Sequence, residues 1–165
     1  WQAINPTGTT PVLELDNGVR IAETAAICEY LEDRFPDPAL IGATPEARAV
    51  TRMWWRRTDL IVVQPMTTGF RGAEGLPLFQ GRVRCLPQAA DDLKQATQEG
   101  LAWFEAQLGD KPYIAGDALT VADLQLFCFV EFGDKVGQGL NPAHLRLAAW
   151  RERIAARPSA ALPWL

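Results

Sequence analysis

Glu23-Thr24 stands where a strand run ends and a helix begins, and that placement gives the pair its chemistry. A helix N-terminus presents unpaired backbone N–H groups and a partial positive charge, a seat for a carboxylate. An adjacent glutamate can take an ammonium. Together they suit the zwitterionic end of an amino acid or peptide, although Thr24 taken alone reads as an ordinary N-cap. Few other residues offer chemistry. Ser159 is the only serine and His144 the only histidine, and no Gly-x-Ser-x-Gly occurs, so a serine triad has no support. No Gly-x-Gly-x-x-Gly follows a strand and there is no P-loop. Cys28, Cys85 and Cys128 are odd in number and lack Cys-x-x-Cys spacing, which argues against a disulfide framework or a zinc site. All three are expected to be reduced and buried, Cys28 and Cys128 on apolar helix faces. No metal is expected.

The elements around the pair are legible. The run Pro11-Val-Leu-Glu-Leu15 leads into Asp16-Asn17-Gly18 and a return strand Val19-Arg20-Ile21. Asn-Gly between apolar runs predicts a hairpin turn with both central residues at positive φ. Thr24, Ile27, Cys28, Leu31 and Phe35 then fall on one helical stripe, the face expected to be buried. Glu32-Asp33, like Asp91-Asp92, reads as solvated surface charge. Phe35 to Gly42, with two prolines and a glycine, cannot continue the helix and reads as a linker.

The combination Asn5-Pro6-x-Gly8-x-x-Pro11-Val12 and Glu23-Thr24-x-Ala26-Ile27-x-x-Tyr30-Leu31 resembles the second half of the glutathione-binding domain of glutathione S-transferases. The resemblance implies a cis peptide before Pro11, a backbone pairing of Thr10 with the cysteinyl part of glutathione, and Glu23-Thr24 holding its γ-glutamyl end. The fold implied is mostly α with a small α/β part. Residues 1–35 form a partial thioredoxin-like domain, 36–43 a linker, and 44–165 an all-helical domain. The resemblance also implies a βαβ unit before Trp1 carrying the tyrosine, serine or cysteine that acts on the glutathione sulfur, so no catalytic residue is assigned here. Conjugation of the glutathione thiol to a small hydrophobic electrophile is the implied activity, with a cytoplasmic detoxifying homodimer as its setting. A noncatalytic interaction domain of the same fold, or a glutathione-dependent isomerase or dehalogenase, is the alternative.

Thr44-Pro45-Glu46 restarts helix with an N-cap, a proline at the first helical position and an acid in the first turn. One face of that helix carries Val50, Met53, Trp54, Arg57 and Ile61, and Arg48, Arg52 and Arg56 form a solvated stripe. By resemblance this helix borders the electrophile pocket, making Trp54, Trp55 and Arg57 candidates, and it faces a dimer partner together with the helix from about residue 87. Prolines and glycines between 65 and 87 predict a break that could wall a substrate pocket. A long helix to Leu108 buries Leu93, Thr97, Gly100, Leu101, Phe104 and Leu108. Thr120 and Asp123 make a capping box before an all-round apolar helix, Leu124 to Phe132. Gly116-Asp-x-x-Thr120-x-Ala-Asp123 also resembles the helical domain of the same family, so Asp123 is given a structural role. A last helix turns Leu147, Trp150 and Ile154 inward.

Composition agrees with a globular protein: 48% apolar and 22% charged residues. A formal charge of −4 argues against nonspecific nucleic-acid or anionic-membrane binding. No run reaches the roughly 20 apolar residues of a membrane span.

Overall fold

The computed structural model describes residues 2–161. A two-stranded antiparallel ribbon, β1 (Val12–Glu14) and β2 (Arg20–Ala22), opens the fold, with Leu13 opposite Ile21. The turn between them differs from the expected one. Gly18 alone has positive φ, and its N–H donates to Leu15 O at 2.8 Å while Leu15 N–H donates to Val19 O. Asp16-Asn17-Gly18 is therefore a three-residue loop closed by a left-handed glycine, the next most common hairpin solution.

Helix α1 (Thr24–Arg34) follows directly. Its expected buried stripe is only partly so: Ile27 and Cys28 are half-buried, but Leu31 and Phe35 are exposed. The face that meets the helical domain carries Glu29 and Glu32 instead. Glu32 is buried, and its carboxylate accepts the N–H groups of Leu40 (2.9 Å), Ile41 (2.7 Å) and Gly42 (3.2 Å). It is a clamp on the linker, not solvated charge. Three buried or half-buried N–H groups without secondary-structure partners need such an acceptor.

The helical domain starts with α2 (Pro45–Thr58), capped by Thr44, which accepts Ala47 N–H on its side chain. The helix does not end at Thr58. A π-helical turn, Asp59–Val63, joins it to α3 (Gln64–Gly72), so the rod passes through Pro65. Proline lacks the N–H that Ile61 O would accept in a regular helix, and the wider turn absorbs that. Gly100 fits against this point: a Cβ there would lie 2.4 Å from Ile61 O. The inward stripe of α2 is Thr51, Trp54, Trp55 and Thr58, while Val50 and Met53 are exposed, contrary to the polarity pattern. Thr58 can be inside because its hydroxyl donates to Trp54 O at 3.1 Å.

The break between 65 and 87 comes after Gly72; one helical turn, α4 (Leu76–Phe79), lies within it. Pro87–Ala89 is a 3₁₀ turn leading into α5 (Ala90–Leu108), which buries Thr97, Gly100, Leu101, Phe104 and Leu108 as expected, while Leu93 is only half-buried. Helix α6 (Val121–Lys135) begins with the capping box of Thr120 and Asp123. Asp123 does more than cap. Fully buried, it accepts from Thr120 N–H and hydroxyl, Ile114 N–H and Trp150 Nε1, all at 2.8–3.0 Å. That ties α6 to α7 (Leu145–Ala155), whose Leu147, Trp150 and Ile154 enter the core. Val121 N–H donates to Leu40 O at 3.0 Å, joining α6 to the linker. Among the described residues no helix is long and apolar enough to cross a membrane, and no cluster of His, Cys, Asp and Glu could hold a metal.

Candidate functional site

The backbone from Asn5 to Pro11 is shaped before it reaches the ribbon. Buried Asn5 donates from Nδ2 to Thr9 O at 2.9 Å and accepts the Thr7 hydroxyl on Oδ1. This local loop delivers Thr9 and Thr10 to the start of β1. The Thr10–Pro11 peptide is cis, as the resemblance implied; so is Asp37–Pro38, which the sequence did not suggest.

Glu23 is the N-cap of α1 at φ 70°, ψ 120°, the one non-glycine residue with positive φ among those described. Such a conformation in a residue with a Cβ is uncommon and costly. Its side chain makes no capping bond. Among the described residues no side chain caps the first N–H groups of α1.

Thr9, Thr10, Glu23 and Thr24 share one cleft of about 920 Å³. Its facing walls come from the rod of α2 and α3, through Trp55, Val63 and Arg71, and from α6, through Leu124, Gln125 and Phe129. Pro11 is beside this cleft and not in its lining. Of the three pocket candidates on α2 only Trp55 lines it. Trp54 packs on Trp103 and Phe104, and Arg57 lies over the Trp54 ring at 4.8 Å. Trp55 and its neighbour Arg56 line the cleft, while Trp54, about 100° round the helix from Trp55, points into the core. Thr120 and Asp123 sit below the cleft floor, in the core.

The arginine stripe of α2 is not simply solvated. Arg52 grips Glu29 of α1 through two bonds of 2.6 Å, and Arg48 reaches Glu29 and Asp33 at 3.3 Å each. The Arg52 hydrogen bond is the chief reason the Glu29 carboxyl titrates below its usual range. These pairs run α1 antiparallel to α2 along the cleft edge. Arg56 pairs with Asp59 one turn further on.

None of the three cysteines is buried as expected: Cys28 is half-buried and Cys128 exposed, both in the cleft lining, and Cys85 is half-buried elsewhere. An all-round apolar helix gave no sign that the Cys128 side faces a void. Burial pushes both cleft thiols up, with Glu29 adding to the effect at Cys28 and Glu131 at Cys128. A raised thiol is mostly protonated at neutral pH and a poor nucleophile. Tyr30 and Tyr113 do not line the cleft among the described residues. The positive φ of Glu23 and Arg71, which makes no ion pair among the described residues, are the features sequence reasoning missed; neither has a local pattern.

Known proteins share this architecture. Residues 1–34 match the family model for the glutathione S-transferase N-terminal domain, and residues 85–158 that for the C-terminal domain. The chain is 34% identical over 162 residues to glutathione S-transferase 2 of Saccharomyces cerevisiae, covering 95% of this chain and 67% of that one. It is 30% identical over 167 residues to a maleylacetoacetate isomerase of Pseudomonas aeruginosa, covering 96% and 72%. A crystal structure of a glutathione S-transferase domain-containing protein from Marinobacter aquaeolei superposes with a TM-score of 0.90 at 34% identity, over 97% of this chain and 78% of that one. With a partial thioredoxin-like unit set against an all-helical domain and relatives at this level of identity, the chain belongs to the glutathione S-transferase family.

Proposed function

We propose that this protein is a glutathione transferase that seats the tripeptide on Thr10, Pro11, Glu23 and Thr24. The observation that carries the reading is the meeting of Glu23 and the open N-terminus of α1 with Thr9 and Thr10 in one cleft. Glu23 takes the α-ammonium of the γ-glutamyl end, the first turn of α1 takes its carboxylate, and the backbone at Thr10 pairs with the cysteinyl residue. Trp55, Val63 and Phe129 offer an apolar wall for a small electrophile. In conjugation the glutathione thiol loses its proton, its sulfur bonds the electrophilic carbon, and a leaving group departs with the electron pair. Cys28 and Cys128, with raised thiols, are poor candidates for assisting that step.

Identity to a maleylacetoacetate isomerase supports a second reading, in which the same grip on glutathione serves an isomerisation. Product analysis separates the two: a conjugate retains the tripeptide, and an isomer does not. We also infer a homodimer through the helices starting at residues 45 and 87. Val50, Met53 and Leu60 are exposed there, beside a groove of about 630 Å³ lined by Leu93 and Trp103. Sizing chromatography tests it.

The direct test of the glutathione site is calorimetric titration of the wild type and Thr24→Ala. Loss of a hydrogen bond to a charged group weakens binding by about 1–3 kcal/mol. Unchanged affinity in the variant would remove Thr24 from the site, and no heat in the wild type would remove the function.

A further inference from the structure

We infer that the second ligand of this cleft carries a carboxylate, held by Arg71 at the end away from the helix start of α1. The inference rests on the glutathione site proposed above and names the chemistry of its co-substrate.

The argument is a charge inventory. Glu23, Glu29, Arg52, Arg56, Asp59 and Arg71 line the cleft. Glu29 is taken by Arg52, and Asp59 by Arg56. Glu23 has the tripeptide's ammonium. That leaves Arg71, which makes no ion pair among the described residues. Its guanidinium lies against the Phe79 ring, 5.6 Å from the centroid, and the nearby acid Glu74 is engaged by Lys94. A guanidinium presents a planar fork of donors that matches a carboxylate. The Phe79 ring orients that fork and cannot neutralise it.

Reach decides which carboxylate. The ion pairs set Asp33 beside Arg48 and Glu29 beside Arg48 and Arg52. Carried on antiparallel, that register puts Glu23 and Thr24 level with Arg56 and Asp59. Arg71 lies twelve residues further along the rod, about 18 Å at the helical rise. An ordinary extended tripeptide spans about 11 Å; the γ-glutamyl link lengthens glutathione by two methylenes, still short of Arg71, and its sulfur sits near Thr10. Between that sulfur and Arg71 the lining mixes apolar Val63 and Phe129 with polar Gln64, Thr67 and Thr68. The buried amide oxygen of Gln125, also in the lining, has no hydrogen-bond partner among the described residues. The space fits a small electrophile of mixed polarity ending in a carboxylate.

Binding to two synthetic conjugates tests this without requiring turnover: S-(4-carboxy-2-nitrophenyl)glutathione and its 4-carboxamide counterpart, alongside glutathione itself. Calorimetry on the wild type is expected to show the carboxylate conjugate binding about tenfold tighter than the carboxamide. Arg71→Gln is expected to erase that preference while keeping the affinity for glutathione, and Arg71→Lys to keep part of it. Equal binding of the two conjugates by a wild type that binds glutathione overturns the inference and leaves the glutathione site standing. A variant that weakens glutathione itself also overturns it, since Arg71 would then hold the tripeptide's own carboxylate. A wild type that binds no glutathione sinks both.

Discussion

Glu23 joins two unlike properties, and replacing it separates them. Held at φ 70°, ψ 120° with a full side chain, it carries a conformational cost of about 1–3 kcal/mol. Glu23→Gly removes that cost, because glycine adopts positive φ freely. Against this stands the larger freedom of glycine in the unfolded chain, up to about 1 kcal/mol; glycine at an N-cap is otherwise well tolerated. The net effect is between about 0 and 2 kcal/mol of added stability, or a melting temperature unchanged to about 8 °C higher for a chain this size. Glu23→Gln keeps the strained backbone and should melt with the wild type. Both variants lose the carboxylate, so both should bind glutathione more weakly by about 1–3 kcal/mol, roughly 5- to 150-fold. Scanning calorimetry gives the first quantity and isothermal titration the second. A Glu23→Gly protein that melts several degrees below the wild type would refute the strain argument. Undiminished affinity in both variants would refute the ammonium contact.

Three further outcomes follow from the packing and the thiols. Glu32→Ala strands the N–H groups of Leu40, Ile41 and Gly42; at about 1 kcal/mol or more each the loss is roughly 3 kcal/mol, read as a melting temperature about 6–12 °C lower. Gly100→Ala forces a methyl against the Ile61 carbonyl, and chemical denaturation should show a loss of about 1–3 kcal/mol where an ordinary helical Gly→Ala gains stability. Cys28, half-buried and with its thiol raised by burial, should react with iodoacetamide slowly at pH 7, with a rate still climbing above the pH at which a free cysteine levels off. Fast alkylation of Cys28 at neutral pH contradicts that environment.

The residues that could be read from the sequence are those whose geometry is local. Thr120 and Asp123 cap their helix three residues apart, and Glu23-Thr24 sits at a junction that strand and helix patterns both mark. What could not be read depends on who arrives from elsewhere. Glu32 is acidic on a helix, the pattern of a surface residue, until a linker eight to ten residues on brings it three donors. Thr51 and Thr58 are polar by composition and inside by structure, the latter because its hydroxyl returns to its own helix. Leu31 and Phe35 follow a helical period yet stay exposed, since periodicity marks a stripe and not what covers it. Helix α6 is apolar all round, so nothing in its composition distinguished the side of Cys128 and Phe129, which borders the cleft, from the side in the core.

The cleft exists only because two small units are held at a fixed spacing, and magnitudes decide which contact does the holding. Arg52 and Glu29 form the shorter and more visible bridge, at 2.6 Å twice over, but the Arg52 side chain is 47% exposed. A pair so wetted contributes little, and less in salt. Because Glu29 titrates below its usual range, that contribution is in place above the ordinary carboxylate range and disappears as acid carries the pH through its lowered value. Glu32 works differently. Its partners are backbone N–H groups of the linker, one of them on fully buried Ile41, whose side chain stands in the helical core while its neighbour Leu40 accepts from Val121. At about 1 kcal/mol or more each, these three bonds together outweigh the exposed pair. The buried clamp therefore sets the distance between α1 and α6, and with it the width of the cleft.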